Sequence, residues 1–306
     1  MVTLLAKRLV QSCLILLGVA AITFVLLYAL PADPARMLAG RSATAQTVEN
    51  IRRELGLDQP LLSQFLHYLG NLVQGDLGRS YAQKTEVATL IAARLPATLT
   101  LMAAGIFVEV LLGLTFGIVA ALNRGGAIDR IVMASAFVGV SAPQFVVALL
   151  LLYVFAATLG WFPMSGYGTA AHVVLPAMTL GILGAGWYAR MARSAMIDVL
   201  NQDFIRTARA KGLSGRRVVL RHALPNAILP IVAMIGIDIG QFMGGVVVVE
   251  AVYGWPGIGQ LAWQAIQQVD IPIIMGVTLT SAFAIIVGNL VADLIAPMID
   301  PRIRSH

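Results

Sequence analysis

The chain has 306 residues, of which 58% are hydrophobic and only 12% charged, and its mean hydropathy is +0.84. A charged fraction so far below the roughly 25% of soluble domains excludes that class and marks an integral membrane protein. The net charge of +6 does not point to nucleic acid, because the basic residues flank apolar runs, where the positive-inside bias accounts for them.

Leu9 to Leu30 carries no charge and is long enough to cross about 30 Å of hydrocarbon as a helix. Lys7 and Arg8 in front of it hold the N-terminus inside. The run exceeds the roughly 7 to 15 apolar residues of a signal-peptide core, so a retained helix is expected. Cys13 within it excludes an intrachain disulfide, being the single cysteine, and reads as a small buried side chain.

Pro31 to Leu95 follows as an extracytoplasmic segment with helical content. A helix is predicted from Val48 to Leu55, ending at Gly56. A second follows Asp58-Gln59-Pro60, with Asp58 as a cap and proline in the first turn, because Leu62, Phe65, Leu66, Leu69 and Val73 recur at helical spacing. Together they predict a helical cap on the outer membrane face.

Pro96 to Leu122, Ile131 to Leu159, Ala223 to Val249 and Ile271 to Ala292 are each apolar over about 20 residues or more. His172 to Ala189 is shorter and rich in glycine, yet lacks Lys, Arg, Asp and Glu, and the spacing of its neighbours requires a crossing. The expected fold is therefore an all-α integral membrane protein of six transmembrane helices with both termini cytoplasmic. Its parts are an N-terminal transmembrane helix (1–30), an extracytoplasmic helical segment (31–95) and a five-helix core (96–306) that includes the loop 190–222.

The distribution of charge agrees with that topology. The loops assigned inside hold 14 Lys or Arg, eight of them between Arg190 and His222, and the short outside loops 160–171 and 250–270 hold none. The other seven lie between Pro31 and Leu95, a segment long enough to escape the rule, where six acids nearly balance them.

Glu109 falls within the second predicted span, Asp238 within the fifth and Asp293 at the end of the sixth, and each would cost a few kcal/mol if it faced lipid. Two readings stand for Glu109 and Asp238: a polar translocation path, or buried hydrogen-bonded carboxylates that orient helices. Gly105, Gly113 and Gly117, then Gly181, Gly184 and Gly186, then Gly236, Gly240, Gly244 and Gly245 give three spans faces on which helices can approach closely. Pro143, Pro176 and Pro230 are candidate kinks.

Ser165-Gly166-Tyr167-Gly168 resembles a potassium filter in letters only, since it follows the interfacial cluster Trp161-Phe162-Pro163 without a pore helix, and is read as a loop. His67, His172, His222 and His306 are scattered, no HExxH pair occurs, and no nucleophile with a partner base or GxxxxGK[ST] loop is present. No catalytic or metal site is expected in this chain.

The run Asp203-Phe204-Ile205-Arg206-Thr207-Ala208-Arg209-Ala210-Lys211-Gly212-Leu213, followed by His222-Ala223-Leu224-Pro225, resembles the EAA loop of bacterial ABC-importer permeases. Arg206 and Thr207 stand where the general motif has Glu and Ala, and His222 where it has Ile; RTARAKGL is the usual form in the peptide and nickel branch. Four stretches before or after the loop resemble the B-type permease of that branch: Leu30-Pro31-Ala32-Asp33-Pro34, Leu55 to Pro60, Gly75-Asp76-Leu77-Gly78-Arg79-Ser80, and Pro256-Gly257-Ile258-Gly259. The terminal Asp300-Pro301-Arg302-Ile303-Arg304 is a fifth.

The resemblance implies a type I ABC importer (MetI-like) permease bundle in the bacterial inner membrane. It implies a heterodimer with a C-type permease, two ABC ATPase subunits, an extracytoplasmic solute-binding protein and a di- or oligopeptide substrate, with nickel or another small solute as the alternative. No cofactor is expected in this chain; ATP and Mg belong to the partner ATPases. The residues Asp203 to Leu213 would form a cytoplasmic elbow that docks on the ATPase, with Asp203 as cap, Phe204, Ile205 and Ala208 on one face, and Gly212 ending the helix in a left-handed conformation. Ser214 would cap a second short helix. A stand-alone ion-coupled carrier or channel is the competing class, with the membrane acids as ion sites.

Overall fold

The computed structural model describes residues 2–29, 33–40, 43–54, 56–243 and 246–299. Leu30 to Ala32, Gly244, Gly245, the side chains of Lys7 and Asp293, and the terminal 300–304 landmark lie outside the described residues. The described chain is helical: α1 (Val2–Ala29), α2 (Pro34–Ala39), α3 (Ala45–Glu54), α4 (Leu61–Val73), α5 (Val87–Leu122), α6 (Ala127–Ser141), α7 (Gln144–Leu151), α8 (Ala170–Leu200) and α9 (Asp203–Ala210). There follow α10 (Gly215–Arg217), α11 (Leu224–Ala227), α12 (Leu229–Met243), α13 (Val247–Val252), α14 (Ile258–Gln268) and α15 (Ile271–Ile299). A wider π-helical turn continues α7 through Leu152–Thr158, and another joins α10 to α11 through Val218–Ala223.

Three helices, α5, α8 and α15, are each long and apolar enough to cross a membrane. Two more expected spans are broken: Ala127–Ser141 meets Gln144–Thr158 at a 103° bend, and Gly215–Ala227 meets Leu229–Met243 at 52°. The first break falls at Pro143, which has no N–H to extend α6 and instead opens α7. Pro176, by contrast, stays inside an unbroken α8. The remaining expected span coincides with α1, a helix of 28 residues.

Residues 1–96 and 256–284 form one compact unit, and residues 97–255 with 285–306 a second. In the first, α1 meets α4 through Phe24, whose ring lies 5.2 Å from Phe65 and 6.0 Å from Tyr68. Asp33 caps α2 by accepting from the Ala35 N–H at 3.1 Å and holds Arg52 of α3 at 2.5 Å. Gly56, at φ +65°, follows α3 as expected. Asp58 does not cap α4. The N-cap is Pro60, and the Gln64 side chain reaches back to the carbonyls of Leu57 and Gln59 instead. Between α14 and α15 the buried Asp270 accepts from the Ser80 hydroxyl at 2.5 Å and from the N–H groups of Tyr81 and Ala82 at 3.2 and 2.9 Å. Three donors satisfy this carboxylate, and they hold the 80–82 loop and the left-handed Val269 beside it in place.

The second unit is arranged around α8, a helix of 31 residues. Its expected span ended at Ala189, but the helix continues to Leu200. The charges that promised a loop are accommodated: the Arg190 guanidinium lies 4.2 Å from the centroid of the Trp187 ring, and Arg193 pairs with Asp129 of α6. Close backbone approach fixes the neighbours. A Cβ on Gly117 of α5 would lie 2.6 Å from the Ala189 carbonyl oxygen and 2.7 Å from the Ala192 Cβ, and one on Gly186 of α8 would strike the Ala136 carbonyl of α6. Helix α5 itself starts nine residues before the expected Pro96, which it contains without a break. At the other end of α8, the Tyr253 hydroxyl bonds Thr179 and the Ala148 carbonyl, while the Trp255 indole N–H donates to Ala97 at 3.0 Å. The Ser165–Gly168 loop packs there, with Tyr167 edge-on to Trp255 at 4.9 Å.

Gly117→Val is expected to lower the melting temperature of the purified protein, because overpacking against backbone costs about 1–3 kcal/mol. Gly18→Ala, where a Cβ meets nothing within 4 Å, serves as the control that leaves it unchanged. Equal melting of the Gly117→Val and wild-type proteins would refute the close α5–α8 contact.

Candidate functional site

Two places combine residues singled out by sequence with geometry that packing alone does not require. The first is a cavity of about 190 Å³ walled by α5, α8 and α12. Glu109 enters from α5, Asp238 from α12, and Gly184, Trp187 and Tyr188 from α8, with Gln241 on the wall beside Asp238. The two acids, 129 positions apart in sequence, meet: their carboxyls hydrogen-bond each other, a bond that needs a proton on one of the two. The Tyr188 hydroxyl donates to Asp238 Oδ2.

Local sequence explains how Glu109 fits. Gly184 has no side chain, and the Glu109 carboxyl occupies the volume that a Cβ there would fill. Glu109 is only 4% exposed, and its Oε2 has no hydrogen-bond partner among the described residues. Trp187 and Ile237, by contrast, are 56% and 60% exposed, so the cavity lies at a face with large apolar side chains uncovered in the single chain. No lysine or arginine lines it among the described residues.

The second place is the elbow after α8. Helix α9 runs from Asp203 to Ala210, Gly212 follows at φ +78°, and α10 starts after Ser214. A left-handed residue at that position favours glycine, since any Cβ is strained there even though open space surrounds it. Asp203 occupies the first turn instead of the cap, which is Gln202, and pairs with Arg206 at 3.2 Å. Ser214 is the N-cap residue of α10 without a side-chain cap bond.

The faces of α9 separate differently from the expected grouping of Phe204, Ile205 and Ala208. Ile205 and Ala208 are buried in this chain's own cluster with Met196 and Val199 of α8, Ala121 of α5, and Val218 and Ala223 beyond the elbow. Leu213 packs against the same cluster. Phe204, Arg206, Thr207, Arg209, Ala210, Lys211 and Gly212 are exposed.

Sequence reading missed Tyr188 as a partner of Asp238, since nothing local links a tyrosine to an acid 50 positions away. It also missed the pair of Asp129 with Arg193, which make two bonds of 2.5 and 2.6 Å while Asp129 accepts from the Gly125 N–H as well. An acid in the first turn after a Gly-Gly pair was the available signal for the latter.

Known proteins resemble the chain from end to end. The family described as binding-protein-dependent transport system inner membrane component matches residues 113–305, and its N-terminal companion family matches residues 1–102. The glutathione transport system permease protein GsiC of Escherichia coli K12 is 42% identical over 304 residues, covering 99% of each chain. The protein of the same name from Pectobacterium atrosepticum is 42% identical over 298 residues, covering 97% of each. Among solved structures, an inward-facing form of the MetNI methionine ABC transporter matches with TM-score 0.57 at 21% identity, over 69% of this chain and 97% of that one. An amino acid ABC transporter crystallised with histidines matches with TM-score 0.52 at 18% identity, over 69% of this chain and 94% of that one. At such identities these two establish a shared fold.

Removing the cation that faces Asp129, by Arg193→Met, is expected to lower the melting temperature more than the double substitution Asp129→Asn with Arg193→Met, because the single change strands a buried carboxylate. A double variant as unstable as the sum of the two singles would show that the groups do not interact.

Proposed function

We propose, because this chain belongs to the binding-protein-dependent transport system inner membrane components, that it is the permease subunit of an ATP-driven importer for small peptides, glutathione or di- and oligopeptides. It is an ABC importer permease with the MetI-like helical fold, and such a permease works with ATPase subunits and a binding protein. The observation that carries the peptide reading is the end-to-end likeness to the glutathione permeases.

In this reading a second, C-type permease covers the face where Trp187 and Ile237 are exposed, and the two subunits enclose the route. Glu109 and Asp238 border that route. The elbow lies on the cytoplasmic side, where its positive charge is favoured, and presents Phe204, Thr207, Ala210 and Lys211 to the ATPase. ATP with Mg is bound and hydrolysed by the ATPase subunits. Ile205, Ala208 and Leu213 serve from within: they fasten the elbow to α8 and α5, so that a push on α9 moves the helices that wall the cavity.

The test is uptake of labelled glutathione and of dipeptides by liposomes containing the two permeases and two ATPases, with the binding protein supplied outside. ATP-dependent accumulation of one of these is expected; accumulation without ATP, or of none of them, would sink the reading. Phe204→Ala and Gly212→Val are expected to abolish uptake, either with ATP hydrolysis continuing or with loss of the ATPase on purification. Normal assembly and uptake in both would remove the elbow from the coupling role.

A further inference from the structure

The cavity walled by α5, α8 and α12 contains a carboxylate unlike those of the buried Asp129 and Asp270. Asp270 accepts three hydrogen bonds, and Asp129 meets Arg193 twice and an N–H once. Those acids are structural, and their surroundings are saturated with donors. Glu109 is nearly as buried, yet its Oε2 has no partner among the described residues, and it borders a cavity instead of filling one. A buried acceptor is normally satisfied, because leaving it bare forfeits the hydrogen bonds it had with water.

We infer that this cavity receives a primary ammonium group, the free N-terminus of the peptide in transit. The inference rests on the peptide-import reading and names the part of the substrate that the site holds. An ammonium offers three donors and no acceptor, which complements a wall where Glu109 and Asp238 supply carboxyl oxygens and where no lysine or arginine is among the described lining residues. Tyr188 turns Asp238 by donating to Oδ2. Gly184 leaves the space that lets the Glu109 carboxyl reach the wall. The Trp187 ring on the same wall, one face of which the Arg190 guanidinium covers, gives the peptide's first residues an apolar surface. The cavity, about 190 Å³, accommodates an ammonium with the atoms around its Cα and not a whole tripeptide, so the rest of the substrate extends along the exposed face.

The experiment uses the complete permease–ATPase complex in nanodiscs without binding protein and reads Trp187 fluorescence during titration with glutathione, N-acetylglutathione and glutathione amidated at its glycine end. A Trp187→Phe complex identifies the Trp187 signal. In the wild type, N-acetylation is expected to weaken binding about tenfold or more, the value of one charge-assisted hydrogen bond, while amidation is tolerated. In Glu109→Gln and Asp238→Asn complexes the free peptide should bind as weakly as the acetylated one. Equal binding of free and acetylated glutathione to the wild type overturns the inference without recourse to any variant. So does a response to sodium chloride alone equal to that of the peptide, which would mark an inorganic cation site. Wild-type liposomes that accumulate peptide while either of those results is found would leave the import reading standing and remove only the ammonium site; liposomes that accumulate none would remove the import reading itself.

Discussion

The contact between α8 and the backbones beside it is the constraint on which the second unit depends. Lipid tails are as apolar as leucine, so transmembrane helices gain little from apolar burial alone and associate through close packing. Here the packing is obtained by omission: Gly113 and Gly117 bring α5 against Ala185, Ala189 and Ala192, and Gly186 brings α8 against Ala136 of α6. The same omission at Gly184 admits an acid where a side chain would otherwise stand. The means of packing and the means of building the cavity are one feature of α8.

Much of this architecture was legible in the sequence because membrane burial is written as apolar length. Spans at α5, α8 and α15 and the break at Pro143 follow from long apolar runs and from a proline's missing N–H. What misled was the inference from charge to loop. Arg190 and Arg193 read as the start of a loop, yet the helix continues because one stacks on an indole and the other meets an acid brought near by the fold of α6. Likewise Asp58 looks like a cap, whereas the N-cap is Pro60 without a side-chain cap bond, and Gln64 donates from inside the helix to the preceding carbonyls. Partners of that kind have no sequence signature.

For the site, the acids were readable one at a time and their meeting was not. Expense in the membrane singled out Glu109 and Asp238, but that rule is silent about what an acid faces. Coordinates add what each acid meets: Asp270 has its three donors, while Glu109 Oε2 has none among the described residues. The elbow shows the opposite balance. The motif fixed its place and its glycine, but grouped Phe204 with Ile205 and Ala208, where the core divides them.

These two places are joined by a single helix. Tyr188 and Met196 are both buried on α8, eight residues or about 12 Å apart, with no break between them. Met196 belongs to the cluster that grips Ile205 and Ala208, and Tyr188 holds Asp238 at the cavity. A helix packed through glycines against backbone cannot absorb a displacement by letting side chains yield, so it moves as a body or not at all. In the proposed coupling, motion imposed on α9 reaches the cavity as a change in the separation of α8 from α5 and α12, the separation that brings Glu109, Asp238 and Tyr188 within reach of one another. A ligand bound by those groups favours the arrangement in which they converge, and the elbow position that accompanies it, by its difference in affinity between the two arrangements.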